Sequence, residues 1–365
     1  MSGTSLDAID VAVIDLHQSK DTLSCQLLAA TTTQWPPVLR EQLLEISQNR
    51  ATPTIDHLAS LDAQVGMAFA HAANMVILEK GICRRTIKAI GSHGQTIRHR
   101  PTYTPAFTWQ IGDPNRIAEH TGITTVADFR RRDIAAGGQG APLLPAFHHA
   151  LLHSATENRA VVNLGGIANI TLLPRQGRCI GFDTGPANAL LDCWFQYHHP
   201  CMRFDRDGNW AKTGKVHLPL LERFRSDPWF RISPPKSTGR EYFHLEWIKN
   251  HFSALGHLPP QDVQATLLAL TSSTICDALK TQQPDTAVLF AAGGGVHHPP
   301  LMDQLRMHLP DTRVISVRDA GIDPDYLEAM GFAWFAAQTL HYKTSSLASI
   351  TGAQGARILG GIYLA

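Results

Sequence analysis

Asp183 lies in the middle of the run Gly181, Phe182, Asp183, Thr184, Gly185, Pro186, Ala187, Asn188. The apolar stretch 179–182 reads as the end of a strand, and Gly185 with Pro186 turns the chain into a helix beginning near Ala187. Glycine lets backbone amides approach an anion closely, and the unpaired amides of a new helix point the same way. A carboxylate beside such a cradle suits a general base next to a transferring phosphoryl group. The alternative is an acid that merely ends a strand and caps the helix.

Other blocks have the same character. Ser2, Gly3, Thr4, Ser5, Leu6, Asp7, Ala8, Ile9 and Asp10 combine a small turn, three hydroxyls and two acids. Such a turn can wrap phosphates, its hydroxyls can donate to phosphate oxygens, and an Asp can hold hydrated magnesium. The G-K-[ST] ending of a Walker A loop is absent, and an ordinary polar hairpin is the alternative. Gly293, Gly294 and Gly295 follow an apolar strand and precede a helix at Pro299, which permits close contact with a flat ring or a phosphate, or else a tight packing turn. The stretch 91–99 gathers Ser92, His93, Gln95, Thr96 and Arg98 at a strand end, a set suited to a hydroxyl-rich ligand. Arg130, ahead of Gly137, Gly138, Gln139 and Gly140, could grip a carboxylate bidentately, or only pair with surface acids. Glu328, early on a helix, could serve a ligand or simply complement the helix dipole. There are 19 histidines, but the pairs His148-His149, His198-His199 and His297-His298 are adjacent and no H-E-x-x-H occurs, so the histidines are expected to be structural or solvent-exposed rather than metal ligands.

The elements that must carry these blocks alternate strands with amphipathic helices, an α/β chain. In the first half, strands are expected at 9–16, 24–31, 87–92, 108–111 and 123–126, with helices at 37–48 and 55–79. A similar plan restarts near Arg159: strands at 160–164, 169–173 and 179–183 around the glycine turn 165–166, then a helix at 187–196. Further helices are expected at 261–280, 299–309 and from Pro324, with strands at 286–291 and 312–316. In the second half a full strand precedes the glycine turn, whereas Met1 alone precedes Ser2, so a strand of about five to seven residues is expected ahead of Met1. Pro and Gly gather at 137–145, read as a crossing between lobes, and 200–239 reads as a long functional loop.

Composition narrows the class. A chain of 365 residues favours two lobes. With 32 Lys+Arg against 31 Asp+Glu, the charge balance gives no support to non-specific binding of nucleic acid or anionic membranes. Six cysteines without a C-x-x-C pair suit neither a disulfide framework nor zinc and point to a reducing, cytoplasmic setting. No signal peptide is expected, since Met1 leads into polar residues, and no uncharged apolar run reaches bilayer length.

Three glycine-rich blocks in the order phosphate turn, second phosphate turn, adenosine turn, across two related halves, resemble the actin, chaperone-ATPase and sugar-kinase superfamily. More narrowly, the blocks at 1–10, 92–96, 128–142, 163–169, 181–188 and 292–295, with the helix at 326–329, resemble the anhydro-N-acetylmuramic acid kinases over almost the whole chain; the departure is the absent leading strand. The resemblance implies a two-lobed actin-like sugar-kinase fold with a duplicated mixed-sheet core and an ATP cleft between lobes. The N-terminal lobe would comprise 1–126 plus 341–365 and the C-terminal lobe 127–340. It implies a kinase that opens 1,6-anhydro-N-acetylmuramic acid hydrolytically and phosphorylates it with ATP and Mg2+ in cell-wall recycling, as a cytoplasmic homodimer. Asp183 would be the base. ATP would lie on Gly3 to Asp10 with Gly165 and Gly293 to Gly295, and the sugar on Thr96, Arg130 and Glu328. Two other classes remain in view: a conventional amino-sugar or hexose kinase, and an ATP-driven regulatory module.

Overall fold

Apolar residues at helical spacing, Leu61, Val65, Phe69, Ala72 and Val76, bury one face of the helix Ile55–Glu79, whose first turn is capped by the Thr54 hydroxyl accepting the His57 amide. In this computed structural model, which describes residues 1–3, 6–18, 23–252 and 258–365, that helix is long and apolar enough by composition to cross a membrane. Its buried face instead packs with Trp35, Leu43, Ile97, Ile111 and Ile117.

The chain forms two units, Met1–Leu151 with Tyr326–Ala365, and Leu152–Asp325. The first unit therefore includes 127–151 and 326–340, which the sequence reading assigns to the other lobe. The physical reason is aromatic: Phe129 packs against Phe332 and Phe335 with ring centroids 5.6 and 5.8 Å apart.

In the first unit β1 (Ile9–Gln18) and β2 (Leu23–Thr33) form an antiparallel ribbon. β3 (Ile90–Ser92) precedes a hairpin of β4 (Gln95–Arg100) and β5 (Phe107–Ile111), and runs parallel to β6 (Thr125–Ala127). The strand Gly361–Tyr363 closes the other edge of β6. The helix Leu327–Leu340, which carries Glu328, crosses β3 at Gly91, where any Cβ would collide with the Phe332 carbonyl.

In the second unit β7 (Asn158–Leu164), β8 (Ile167–Leu173) and β9 (Ile180–Pro186) form an antiparallel meander. β10 (Thr286–Ala292) and β11 (Arg313–Ser316) join it in parallel, giving the order β11-β10-β7-β8-β9. Helices Asn188–His198 and Pro260–Gln282 cover it, and Leu190, Trp194, Leu267, Leu270 and Phe182 share the core.

Two expectations need correction. The segment 200–239 is not one irregular loop, because it contains the helix Leu218–Arg225, anchored by buried Leu220 and Phe224. Residues 95–100, read only as a polar block, form β4: Ile97 points into the core while Thr96 and Arg98 alternate away from it.

Candidate active site

β9 delivers Asp183 as its alternation requires: Phe182 and Thr184 are buried, and the carboxylate between them is half-buried on the other side. The Asp183 amide donates to the Lys236 carbonyl at 3.0 Å, and the Thr238 amide donates to Asp183 Oδ2 at 2.9 Å. Asp183 is thus clamped from both sides by one segment. Burial pushes its pKa up to about 6 and the Glu241 carboxylate adds to the rise, against the Thr238 amide and the Lys236 ammonium. Lys236 is held in turn by the Phe230 carbonyl, 3.2 Å away, and by the Trp229 ring, 4.2 Å from its ammonium. A carboxylate with this pKa is mostly ionised at neutral pH yet basic enough to take a proton.

The helix after β9 does not present free amides to an anion. The amides of Ala187, Asn188 and Ala189 donate to the carbonyls of Gly166, Gly165 and Gly166 at 3.0, 3.0 and 2.9 Å, and Asn188 Nδ2 donates to the Leu164 carbonyl at 2.9 Å. The helix start is consumed in holding the β7–β8 turn. A Cβ on Gly165 would meet nothing closer than 3.6 Å, so no crowding demands glycine there.

The three glycines after β10 divide. Gly293 has φ +78° and lies against Asn163, and Gly295 lies against Leu164; both are needed for packing on the end of β7. Gly294 has open space where a Cβ would be, which leaves it the one of the three not explained by packing.

In the first unit, Thr4 and Ser5 lie outside the described residues. The Gly3 carbonyl accepts from the Leu6 amide at 3.2 Å and from Gln95 Nε2 at 3.3 Å. Leu6 and Ile9 are core residues, 0% and 1% exposed, so they can offer a nucleotide only backbone. Asp7 is exposed, and Ala8 is half-buried. Asp10 accepts the Thr32 hydroxyl at 2.8 Å, and that hydroxyl sits 3.1 Å from the Tyr326 hydroxyl. Among the described residues no group of three His, Cys, Asp or Glu side chains gathers for a metal. Acidic oxygen at this turn fits magnesium that keeps water and phosphate oxygens as its other ligands.

Arg130 and Glu328 come together. Arg130 Nε donates to His93 Nε2 at 2.9 Å, and Nη1 to the Gly140 carbonyl at 2.8 Å. Burial lowers the guanidinium to about 10, against the nearby carboxylates of Glu328 and Asp133. Burial raises Glu328, with Arg130 opposing and Asp10 adding to the rise. His93, packed at a tilt against Phe332 with centroids 4.7 Å apart, accepts at Nε2, so its proton sits on Nδ1, 2.8 Å from the Gly94 carbonyl. Burial, then the Arg130 charge, keeps that ring neutral by holding its pKa well below the usual value. Thr96 accepts from Gln110 Nε2 at 3.1 Å. The glycine loop after Arg130 is wrapped on Asp133, which is fully buried and takes the Gly140 amide and the Thr351 hydroxyl, each at 2.8 Å.

Sequence reasoning missed Lys236, Thr238 and Asp133 as positioning groups and read His93 only as part of a ligand-facing block. The run Lys236, Ser237, Thr238, Gly239, Arg240 was the available signal for the clamp on Asp183, but a clamp made by a backbone amide leaves no trace in residue type. A cavity of ≈ 360 Å3, lined by Phe182, Thr184, Phe230, Lys236 and Thr274 among others, opens behind β9; Asp183 is not in its wall.

A mixed sheet with a carboxylate of raised pKa in the middle of β9, and glycine turns at neighbouring strand ends, is consistent with an α/β sugar-kinase fold in two units. The comparisons give the family. Residues 1–365 match the model described as anhydro-N-acetylmuramic acid kinase. The anhydro-N-acetylmuramic acid kinase of Xylella fastidiosa is 59% identical over 363 residues, covering 100% of this chain and 94% of that protein. Those of Xanthomonas axonopodis and Saccharophagus degradans are 57% and 44% identical, covering 100% of this chain and 96% and 97% of theirs. The chain belongs to the anhydro-N-acetylmuramic acid kinase family, and it is a phosphotransferase.

Proposed function

We propose that this chain uses ATP and water to convert 1,6-anhydro-N-acetylmuramic acid to N-acetylmuramic acid 6-phosphate, with Asp183 as the base. Water attacks the anomeric carbon and gives a proton to Asp183; the C1–O6 bond breaks, O6 takes the γ-phosphoryl group, and ADP leaves. Glycosidic cleavage ordinarily needs a second carboxylic acid to protonate the leaving oxygen. Capture of O6 by phosphorus removes that need, so one carboxylate suffices.

The observation that carries this reading is the Asp183 clamp: a carboxylate raised to about 6 and fixed by the Thr238 amide at 2.9 Å. The Thr238 bond occupies one oxygen and leaves the other to accept a proton from water. The nucleotide is assigned to the turn from Gly3 to Asp10, with Gly165 and the turn from Gly293 to Gly295, where Gly294 has the open face. Magnesium, held near Asp10, would offset charge on the phosphates. Thr96, Arg130 and Glu328 are assigned to the sugar. Arg130, fixed at Nε and Nη1, presents Nη2 in one orientation, which suits the lactyl carboxylate. The same proposal places the chain in the cytoplasm as a homodimer.

The test is a reaction in oxygen-18 water with ATP, magnesium and the anhydro sugar, read by mass spectrometry. Singly labelled N-acetylmuramic acid 6-phosphate with stoichiometric ADP is expected. Phosphorylation of N-acetylmuramic acid with the anhydro sugar left untouched would instead identify a conventional amino-sugar kinase.

A further inference from the structure

The segment that clamps Asp183 continues to Arg240, and Arg240 ends on the β7–β8 turn. A Cβ on Gly166 would lie 3.2 Å from Arg240 Nε and 3.3 Å from Nη2, so the guanidinium rests on the bare Cα of that glycine. Five residues, from the Lys236 carbonyl through the Thr238 amide to Arg240, therefore bridge the base and the glycine turn. Among the described residues Arg240 makes no ion pair with a carboxylate, and its neighbour Glu241 folds back over Gly239. Among the described residues this exposed arginine has no carboxylate partner, and its guanidinium rests against Gly166, next to Gly165, where the reading above puts phosphate.

We infer that Arg240 contacts the transferring phosphoryl group and stabilises it between ADP and the sugar oxygen; the inference rests on the reaction proposed above. A planar fork matches two phosphoryl oxygens at once. Because its guanidinium is not committed to a carboxylate, it can follow charge as the group moves, which is binding realised in the transition state rather than the ground state. Arg130 differs: two of its nitrogens are already fixed within the protein, which suits a static carboxylate. A Cβ at position 166 would press on Arg240 Nε and Nη2 at 3.2 and 3.3 Å, so Gly166→Ala should shift the guanidinium by a few tenths of an ångström.

The experiment compares the full-length protein with Arg240→Gln, Arg240→Lys and Gly166→Ala, after thermal melting has matched the variants to the parent. Binding of magnesium–ADP and of magnesium–ADP with aluminium fluoride is measured by calorimetry, alongside kcat and KM. The parent is expected to bind the fluoride complex tighter than ADP. Arg240→Gln should lose about 100-fold or more in that tighter binding and in kcat, with ADP affinity and sugar KM within about threefold. Lysine should restore only part, having the charge without the fork. A kcat within about threefold of the parent would overturn the inference, and so would a rise in sugar KM at unchanged kcat, which marks a substrate-carboxylate contact. If the parent makes no phosphosugar, the sugar reaction fails, while an Arg240-dependent preference for the fluoride complex would still stand or fall in the same calorimetry.

Discussion

At the residue scale, the proposed use of Asp183 as a base conflicts with stability, and both consequences are measurable. Its pKa near 6 predicts that kcat/KM falls about tenfold per pH unit below that value, because only the ionised form can take a proton from water. Asp183→Asn should lower kcat by about 10²–10⁴-fold and abolish the acid limb, with nucleotide affinity retained. The sign for stability follows from the same shift. The unfolded chain releases this proton near 3.8, the folded chain near 6, so between those values the folded state binds more protons. The stabilising contribution is full below about pH 4 and is lost as pH rises through about 6. The Asn variant has no such loss, so its urea midpoint should rise relative to the parent's from pH 4 to pH 7; an unchanged difference would mean the carboxylate is not desolvated. The placement of Asp183 on a strand running into a glycine turn was legible because an apolar run and Gly185 bracket it. Its clamp was not, since Thr238 acts through a backbone amide that every non-proline residue possesses.

At the element scale, the clamp depends on a side chain that makes no hydrogen bond to Asp183. Asp227 Oδ1 accepts the Trp229 amide at 2.9 Å and the Tyr242 hydroxyl at 2.8 Å, and Oδ2 accepts Trp247 Nε1 at 2.8 Å. It therefore pins both ends of the stretch 229–242 that contains Lys236, Thr238 and Arg240. Asp227→Ala would strand buried donors and should cost about 2–4 kcal/mol by urea titration, each orphaned group contributing about 1–3 kcal/mol. It should also lower kcat although the residue lies outside the chemistry; unchanged kcat would show that the stretch holds itself. Gly185 makes the same point at one residue. With φ +146° and a Cβ that would stand 2.9 Å from the Phe230 ring, Gly185→Ala should destabilise by about 1–3 kcal/mol. Glycines were read from the sequence as room for a ligand, and several here make room for protein: Gly185 for Phe230, Gly166 for Arg240, Gly293 and Gly295 for the end of β7. Residue type alone cannot separate those uses.

At the scale of the whole molecule, what the sequence conveyed well was local. The meander of β7, β8 and β9 was legible because short apolar runs alternate with glycine turns, and the helix Ile55–Glu79 because its apolar stripe repeats over seven turns. The helix Pro114–Thr121 was missed, since it is short and buries only Ile117, Ala118 and Thr121. The division of the chain into units was the least legible feature, because it rests on distant contacts such as Phe129 with Phe332. That division makes a prediction of its own. The main core of the second unit draws only on residues between Ala160 and Val314, all within the continuous segment Leu152–Asp325. A fragment 152–325 should therefore fold alone and unfold cooperatively in urea. A fragment 1–151 lacks Phe332 and Phe335 against Phe129 and the strand Gly361–Tyr363 against β6. It should unfold without a sharp transition until the segment 326–365 is supplied in trans. Circular dichroism through the two titrations decides it: a non-cooperative 152–325, or a cooperative 1–151 alone, would mean that stability is divided along the chain differently from the cores.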